Sequence, residues 1–417
     1  LTSVFGYHRV YLLLRGNRQG WEMRFLYAAE MVLNIVKAIV LIAAAVSLMA
    51  SSDNVVLFGF AILFEVISSV IAPLSIGKLI DKKGALIIYK IMMLVLCLCI
   101  ALCYFLFSLV STELYIFIAY SLISFFSPLL RLAQQSYFLD IRETVNLKKI
   151  NSCYQMAVQF GQISGLIVAA MLVDRLDFHQ IHLLLLFVLL CSVVCAFCVK
   201  SKIQNLPSKV AHISTVKLVK SIPLIAVLII IVSAFDYVIL SIFNLSLPVL
   251  TSIYKDQGFA MSLFDMSYAV GAIVISYLLA KGFGSDHGLK LSRVAYIVLP
   301  FAIIALVLTS KIEYRVLIIL AIGAMLSLST IGFNSYIQSI LPKNVIGRVL
   351  ALRRICLAIM LFIFVNTLSF TQSFNTDAFY YLLIIIVLML SFMIVYVTYK
   401  EGEGKNVEIH TLSKREV

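Results

Sequence analysis

Apolar residues come in long uninterrupted runs along this chain, separated by short polar turns. A bilayer core of about 30 Å needs about 20 apolar residues per helix. Twelve runs meet that length: roughly 24–48, 54–76, 85–110, 114–138, 150–172, 182–199, 222–247, 258–280, 292–310, 315–338, 350–370 and 378–399. The pattern predicts twelve transmembrane helices and no soluble domain between them. The widest polar gap, about 200–221, falls between spans 6 and 7. The expected organisation is a six-helix bundle over 1–199, a basic linker over 200–221, a second bundle over 222–399 and an irregular tail over 400–417.

Composition agrees with the pattern. Of the 417 residues, 62% are hydrophobic and only 13% charged, and the mean hydropathy is +1.06. A soluble domain carries about 25% charged residues, so the chain reads as an all-α integral membrane protein. The balance of 33 Lys+Arg against 20 Asp+Glu gives a formal charge of +13. The basic residues cluster in alternate loops, on the side that carries the N-terminus. The opposite side holds only Arg175, Lys255, Lys311 and Arg315. The positive-inside rule then predicts cytosolic termini and accounts for the basic charge without nucleic acid. The Tyr11–Leu14 apolar patch is shorter than a signal-peptide core, so helix 1 is expected to insert directly.

The two halves repeat. Gln135-Ser136 at the end of span 4 matches Gln338-Ser339 at the end of span 10, 203 positions later, and Gly84 matches Gly288 at 204. A half-chain repeat of six spans is the pattern of a transporter built from two pseudo-symmetric bundles.

Charged residues inside spans are the candidate chemistry, because each costs about 2.5–3.5 kcal/mol at the bilayer centre unless it faces protein or water. They are Glu30 and Lys37 in span 1, Glu65 in span 2, Arg131 in span 4, Asp236 in span 7 and Asp265 in span 8. At about 1.5 Å per residue, Lys37, Glu65 and Asp236 lie about 18–21 Å from the basic side, close to the midplane. Glu30, Asn34 and Lys37 form one polar stripe. A carboxylate in a low-dielectric cavity can load and release protons near neutral pH. Glu65 and Asp236 are the leading proton-coupling candidates, with Glu30 in reserve. Lys37 is a mobile counter-ion or a contact for an anionic group; a static Lys37–Glu65 ion pair stays open as the alternative. Arg131 and Asp265 are expected to tune gates. Phe126, Tyr237, Phe243 and Phe264 neighbour these positions and are candidate cavity walls.

Other chemistry finds no support. The eight cysteines lie in apolar runs without ligand spacing and read as small apolar residues. The six histidines are expected in loops or tails, with no metal site. G-x-x-x-x-G-K-[ST] and H-E-x-x-H are absent, so neither ATP use nor zinc hydrolysis is expected. No cofactor is expected, and the chain is not expected to be an enzyme.

Four short segments carry a family resemblance. Gly77-Lys78-Leu79-Ile80-Asp81-Lys82-Lys83-Gly84, between spans 2 and 3, resembles the major facilitator signature G-x-L-x-D-[RK]-x-G-[RK], with Ala85 in place of the final basic residue. Gln338-Ser339-Ile340-Leu341-Pro342 through Gly347-Arg348-Val349 resembles the run after span 10 in the macrolide-efflux and enterobactin-exporter branch of that superfamily. Phe126-Ser127-Pro128 with Arg131, and Asn244-Leu245-Ser246-Leu247-Pro248, resemble that branch at spans 4 and 7. The antiporter pattern G-x-x-x-G-P-x-x-G-G is only half kept in span 5: Gly161 and Gly165 remain for close helix packing, while Leu166, Ala169 and Ala170 replace the rest.

The resemblance implies a twelve-helix major facilitator fold, with Gly77, Asp81, Lys82, Gly84, Gly347 and Arg348 in gating loops and Asn244 beside the cavity. It implies a monomeric, proton-coupled exporter of an amphipathic small molecule, such as an antibiotic, siderophore or self-made peptide antibiotic. The expected location is the bacterial inner membrane, and the expected mechanism is rocking of 1–199 against 222–399. An importer of a small nutrient is the rival in the same class; a membrane-embedded enzyme or sensor is the rival outside it.

Overall fold

The computed structural model describes residues 23–41, 68, 76–77, 79–80, 82–106, 112–141, 146–172, 178–199, 224–251, 253–254, 257–283, 288–340 and 346–413. They form helices α1 (23–41), α2 (Ala85–Leu106), α3 (Thr112–Asp140), α4 (Leu147–Leu172), α5 (Phe178–Cys198), α6 (Leu224–Val232), α7 (Phe235–Thr251), α8 (Gln257–Ala280), α9 (Gly288–Leu308), α10 (Ile312–Ile340), α11 (Ile346–Phe374) and α12 (Thr376–Ser413). Span 2 lies almost wholly outside the described residues. Span 7 is two helices, α6 and α7. Large apolar side chains face outward on many helices, such as Phe105 at 73%, Phe301 at 69% and Phe392 at 72% exposure. Such exposure suits a lipid environment and would be untenable in water.

The chain divides into two compact units. One comprises 1–65, 83–134 and 157–206; the other comprises 66–82, 135–156 and 207–417. The basic-side ends of α3 and α4 thus group with the second unit.

Within the first unit, α1 packs against α4 through glycine. A methyl added at Gly161 would collide with the Met31 carbonyl oxygen and touch Asn34, and one at Gly165 would meet Ile35 and Ala38. Small residues let helix backbones approach where no hydrophobic driving force is available between helices in lipid. Ser192 of α5 donates to the Ala29 carbonyl at 2.7 Å, tying α5 to α1.

Within the second unit, α10 packs most extensively, against α8 and α9. The crossings again rest on glycine: Gly271 abuts Leu320, Gly323 abuts Tyr268, and Gly288 abuts Gly332. Phe235, Phe243, Phe264, Phe333 and Phe379 fill the core around them.

The repeat is visible as contacts. Gln338 donates to the Gln135 carbonyl at 3.5 Å, so the matched glutamines meet, joined by Asn151, whose amide donates to the Gln338 side chain at 2.7 Å. Lys90 donates to the Val199 carbonyl at 2.6 Å beyond the end of α5. Arg293 donates to the Thr398 carbonyl at 2.6 Å within the last span. Each cation also rides on an aromatic ring, Phe197 and Tyr399 respectively.

Three expectations are corrected. Residues 400–413, expected as an irregular tail, continue α12; the Tyr336 hydroxyl donates to Glu401 at 2.5 Å and fastens the start of this extension. His179 and His182 were placed outside helices, but both fall in α5. His182 is buried, bonded to the Ile100 carbonyl at 3.1 Å and packed between Tyr104 and Tyr115. Its aromatic neighbours compensate for a polar ring in an apolar helix, so it is a satisfied core histidine. The cysteines, expected as small apolar residues buried in the helices, are fully buried only at Cys97 and Cys103, and Cys198 is exposed at the end of α5.

Candidate functional site

Asp236 sits where the seventh span breaks. Ser233 donates its hydroxyl to the Ile230 carbonyl at 2.7 Å, and the Ala234 amide turns to the Ile231 carbonyl at 3.0 Å, three residues back instead of four. The Tyr237 amide likewise bonds Ala234 at 3.1 Å, leaving the Ser233 carbonyl for Arg353, whose Nη2 donates to it at 2.9 Å. A serine hydroxyl competing for the backbone is a known way to open a helix. A broken helix is tolerated at membrane depth only where other groups satisfy its backbone. Here Arg353 of α11 does that, held also by Asn334 of α10 at 2.8 Å.

The break puts Asp236 in the first turn of α7, where the positive end of the helix dipole faces it. The residue is 2% exposed. Its Oδ1 accepts from Tyr296 of α9 and from Ser329 of α10, the latter at 2.8 Å. Its Oδ2 has no hydrogen-bond partner. Arg353 acts on the carboxylate through its charge, and Thr330 of α10 as a further hydrogen-bonding hydroxyl. Tyr268 of α8 feels both Asp236 and Asp265, so Asp265 belongs to the same neighbourhood, half-buried on α8.

Glu30 is the buried carboxylate of the first unit, 3% exposed. Tyr89 of α2 donates to its Oε1 at 2.9 Å. Lys37, two turns along α1, and Arg131 of α3 are the cations that act on it. Asn34 turns its amide to the Glu30 backbone carbonyl at 2.7 Å, which places Asn34 in helix geometry.

Glu30, Lys37 and Arg131 thus share one neighbourhood, and Asp236 and Asp265 another. Glu65 and Asp81 lie outside the described residues. Asn244 falls in α7 and Gly347 and Arg348 in α11, with side chains outside the described residues. Gly77 is buried, Lys82 exposed, and Gly84 takes φ 92, a left-handed conformation that favours glycine, immediately before α2. Of the aromatic candidates, Phe126, Phe243 and Phe264 are buried packing residues. Tyr237 is half-buried, with the Arg353 and Arg354 guanidiniums 5.3 and 5.2 Å from its ring.

Sequence reasoning missed Arg353 and Arg354 by counting them with the basic loops. Both lie inside span 11 as drawn and are buried, a signal that was available. It also missed Tyr89, Tyr296 and Ser329, which carry no mark in a chain with 20 tyrosines.

The sequence model described as Major Facilitator Superfamily matches residues 25–365. No curated protein matches the chain. Among solved structures, the E. coli fucose:proton symporter FucP is similar at TM-score 0.69 and 11% identity, over 90% of this chain and 98% of that one. The human organic anion transporter TETRAN gives TM-score 0.70 and 14% identity, over 90% and 99%. A bacterial homologue of the iron transporter ferroportin, in an outward-facing state, gives 0.67 and 17%, over 92% and 99%. These likenesses establish the twelve-helix fold.

Proposed function

The chain belongs to the major facilitator superfamily, and from that premise we propose that it couples proton entry to the export of an amphipathic small molecule. It is a multi-pass membrane protein and a secondary transporter, not an enzyme. The observation that carries the proton coupling is Asp236: a buried carboxylate at a helix break, with one oxygen held by two neutral hydroxyls and the other without a partner. Neutral donors keep the carboxyl group in place whether or not the second oxygen bears a proton. A static ion pair would lose its hold on protonation. Two structural neighbours are named as proton symporters, which supports proton use here.

Export rests on the Gln338–Val349 run and its resemblance to macrolide and enterobactin exporters. Lys37 would act as a mobile counter-ion or face an anionic group of the cargo, Arg131 and Asp265 would tune the gates, and Glu30 would stand in reserve for the coupling role. Glu65 would share the coupling role. The Gly77–Gly84 loop and the Gly347-Arg348 segment would serve as gates, and alternating access would run between the halves 1–199 and 222–399. We place the protein in the bacterial inner membrane with cytosolic termini, because the basic loops lie on the side of the N-terminus. Import is the second reading, favoured by the fucose and xylose symporters among the structural neighbours.

One experiment tests direction and coupling. Cells with and without the chain take up a panel of labelled macrolides, siderophores, peptide antibiotics and sugars, each with and without a protonophore. Lower accumulation that the protonophore abolishes supports export; higher accumulation that it abolishes means proton-driven import. A difference that survives the protonophore would refute proton coupling.

A further inference from the structure

The two units carry the same chemical couple. In each, a buried carboxylate on the first span of a half accepts a hydrogen bond from a tyrosine on the third span. Glu30 and Tyr89 are 59 residues apart, and Asp236 and Tyr296 are 60 apart. The two couples occupy corresponding spans of the halves, but at offsets of 206 and 207, about one helical turn beyond the 203 that pairs Gln135 with Gln338 and the cations Lys90 and Arg293. Both carboxylates are almost wholly buried, and both are held by a neutral phenol at a single oxygen.

Building on the proton reading of Asp236, we propose that Glu30 is also a proton-binding site, so that each half carries one built on the same carboxylate–tyrosine couple. The phenol keeps its bond in both protonation states, because the oxygen it engages remains an acceptor when the proton sits on the other one. Among the described residues, the groups acting on Glu30 are Lys37 on its own helix, Tyr89 from α2 and Arg131 from α3. Those acting on Asp236 are Tyr296 from α9, Ser329 and Thr330 from α10 and Arg353 from α11, with Tyr268 of α8 and the adjacent Tyr237 beside them. The surroundings differ in charge, which separates the two sites in function. Protonating Glu30 removes a negative charge acting on Lys37 and Arg131, and so changes the electrostatics of the first unit. Protonating Asp236 does the same for Arg353 and the helix break. Two such sites allow two protons to drive one cycle, doubling the free energy drawn from a given proton gradient.

Infrared difference spectroscopy of the purified full chain in lipid nanodiscs, titrated from acid to alkaline pH, reads this without a cargo. Protonated carboxyl groups shielded from water absorb apart from hydrated ones. The wild type is expected to show a titrating buried-carboxyl band from each couple, Glu30→Gln to lose one, and Asp236→Asn to lose the other. Tyr89→Phe should shift the Glu30 band in frequency without removing it, and Glu30→Asp should move it, which keeps the test open if Glu30→Gln folds poorly. A band lost in Glu30→Gln while Asp236→Asn loses none would retire the Asp236 reading and the pairing with it, leaving Glu30 as a proton site. A titration unchanged by Glu30→Gln, or by both Glu30→Asp and Tyr89→Phe if Glu30→Gln does not fold, overturns it.

Discussion

Glu30 and Asp236 are alike in chemistry and unlike in backbone. Glu30 lies in a continuous helix, its neighbours in regular geometry, with two cations acting on it. Asp236 opens a half-helix whose severed hydrogen bonds are taken over by Ser233 and Arg353. In the first unit, charge can change while the backbone stays fixed. In the second, the groups that sense the carboxylate also hold the break together, so a change of charge reaches the backbone. On the proposed reading, protonation of Asp236 would reach the backbone of the second half, while protonation of Glu30 would change charge alone.

The sharpest way to break this contrast is Asp236→Asn. Proton-driven export should be lost, so that accumulation of the cargo rises to the level of protonophore-treated cells, while the purified protein keeps its helical circular-dichroism signal. Arg353→Met comes next. It strips the Asn334 side chain and the Ser233 carbonyl of their donor, each buried group costing about 1–3 kcal/mol. Thermal unfolding in detergent should show a loss of about 3 kcal/mol. Lys37→Met, at a half-buried position, should cost under about 1 kcal/mol. Similar losses for the two would erase the distinction between the halves.

Gly161→Leu should follow, at about 1–3 kcal/mol, because overpacking must push α1 away from α4; cross-linking between engineered cysteines on the two helices would report the separation. The smallest effect is in the tyrosines. Tyr296→Phe leaves Ser329 on the same Asp236 oxygen and should cost about 0.5–1.5 kcal/mol. Tyr89→Phe removes the hydroxyl that engages Glu30 Oε1 and should cost more, up to about 3 kcal/mol. The reverse order, measured by the same unfolding assay, would mean that the couples are not built as described.

Much of this was legible in the sequence, and the reasons differ by element. The spans were legible because lipid demands long apolar runs, and lipid-facing residues such as Phe301 and Phe392 have no other use. The superfamily was legible in the Gly77–Gly84 segment. The repeat was legible through Gln135 and Gln338, which meet in space. The helix break was not, because Ser233-Ala234 sits in an apolar run with neither glycine nor proline to mark it. Its signal is three-dimensional, an arginine from a helix far along the chain taking one carbonyl. Arg353 itself was hidden by its nearness to a basic loop, where positive charge was already explained. Tyr89 and Tyr296 were invisible for a related reason: a tyrosine becomes informative only when its hydroxyl has a buried partner.

Proteoliposomes carrying the full chain, or Asp236→Asn, put the central claim to its most direct test. The probe is whichever member of the labelled panel the wild type moves. The account predicts that a proton gradient drives accumulation by the wild type, and that Asp236→Asn still exchanges probe across the membrane without responding to the gradient. A variant that responds to the gradient as strongly as the wild type would contradict it.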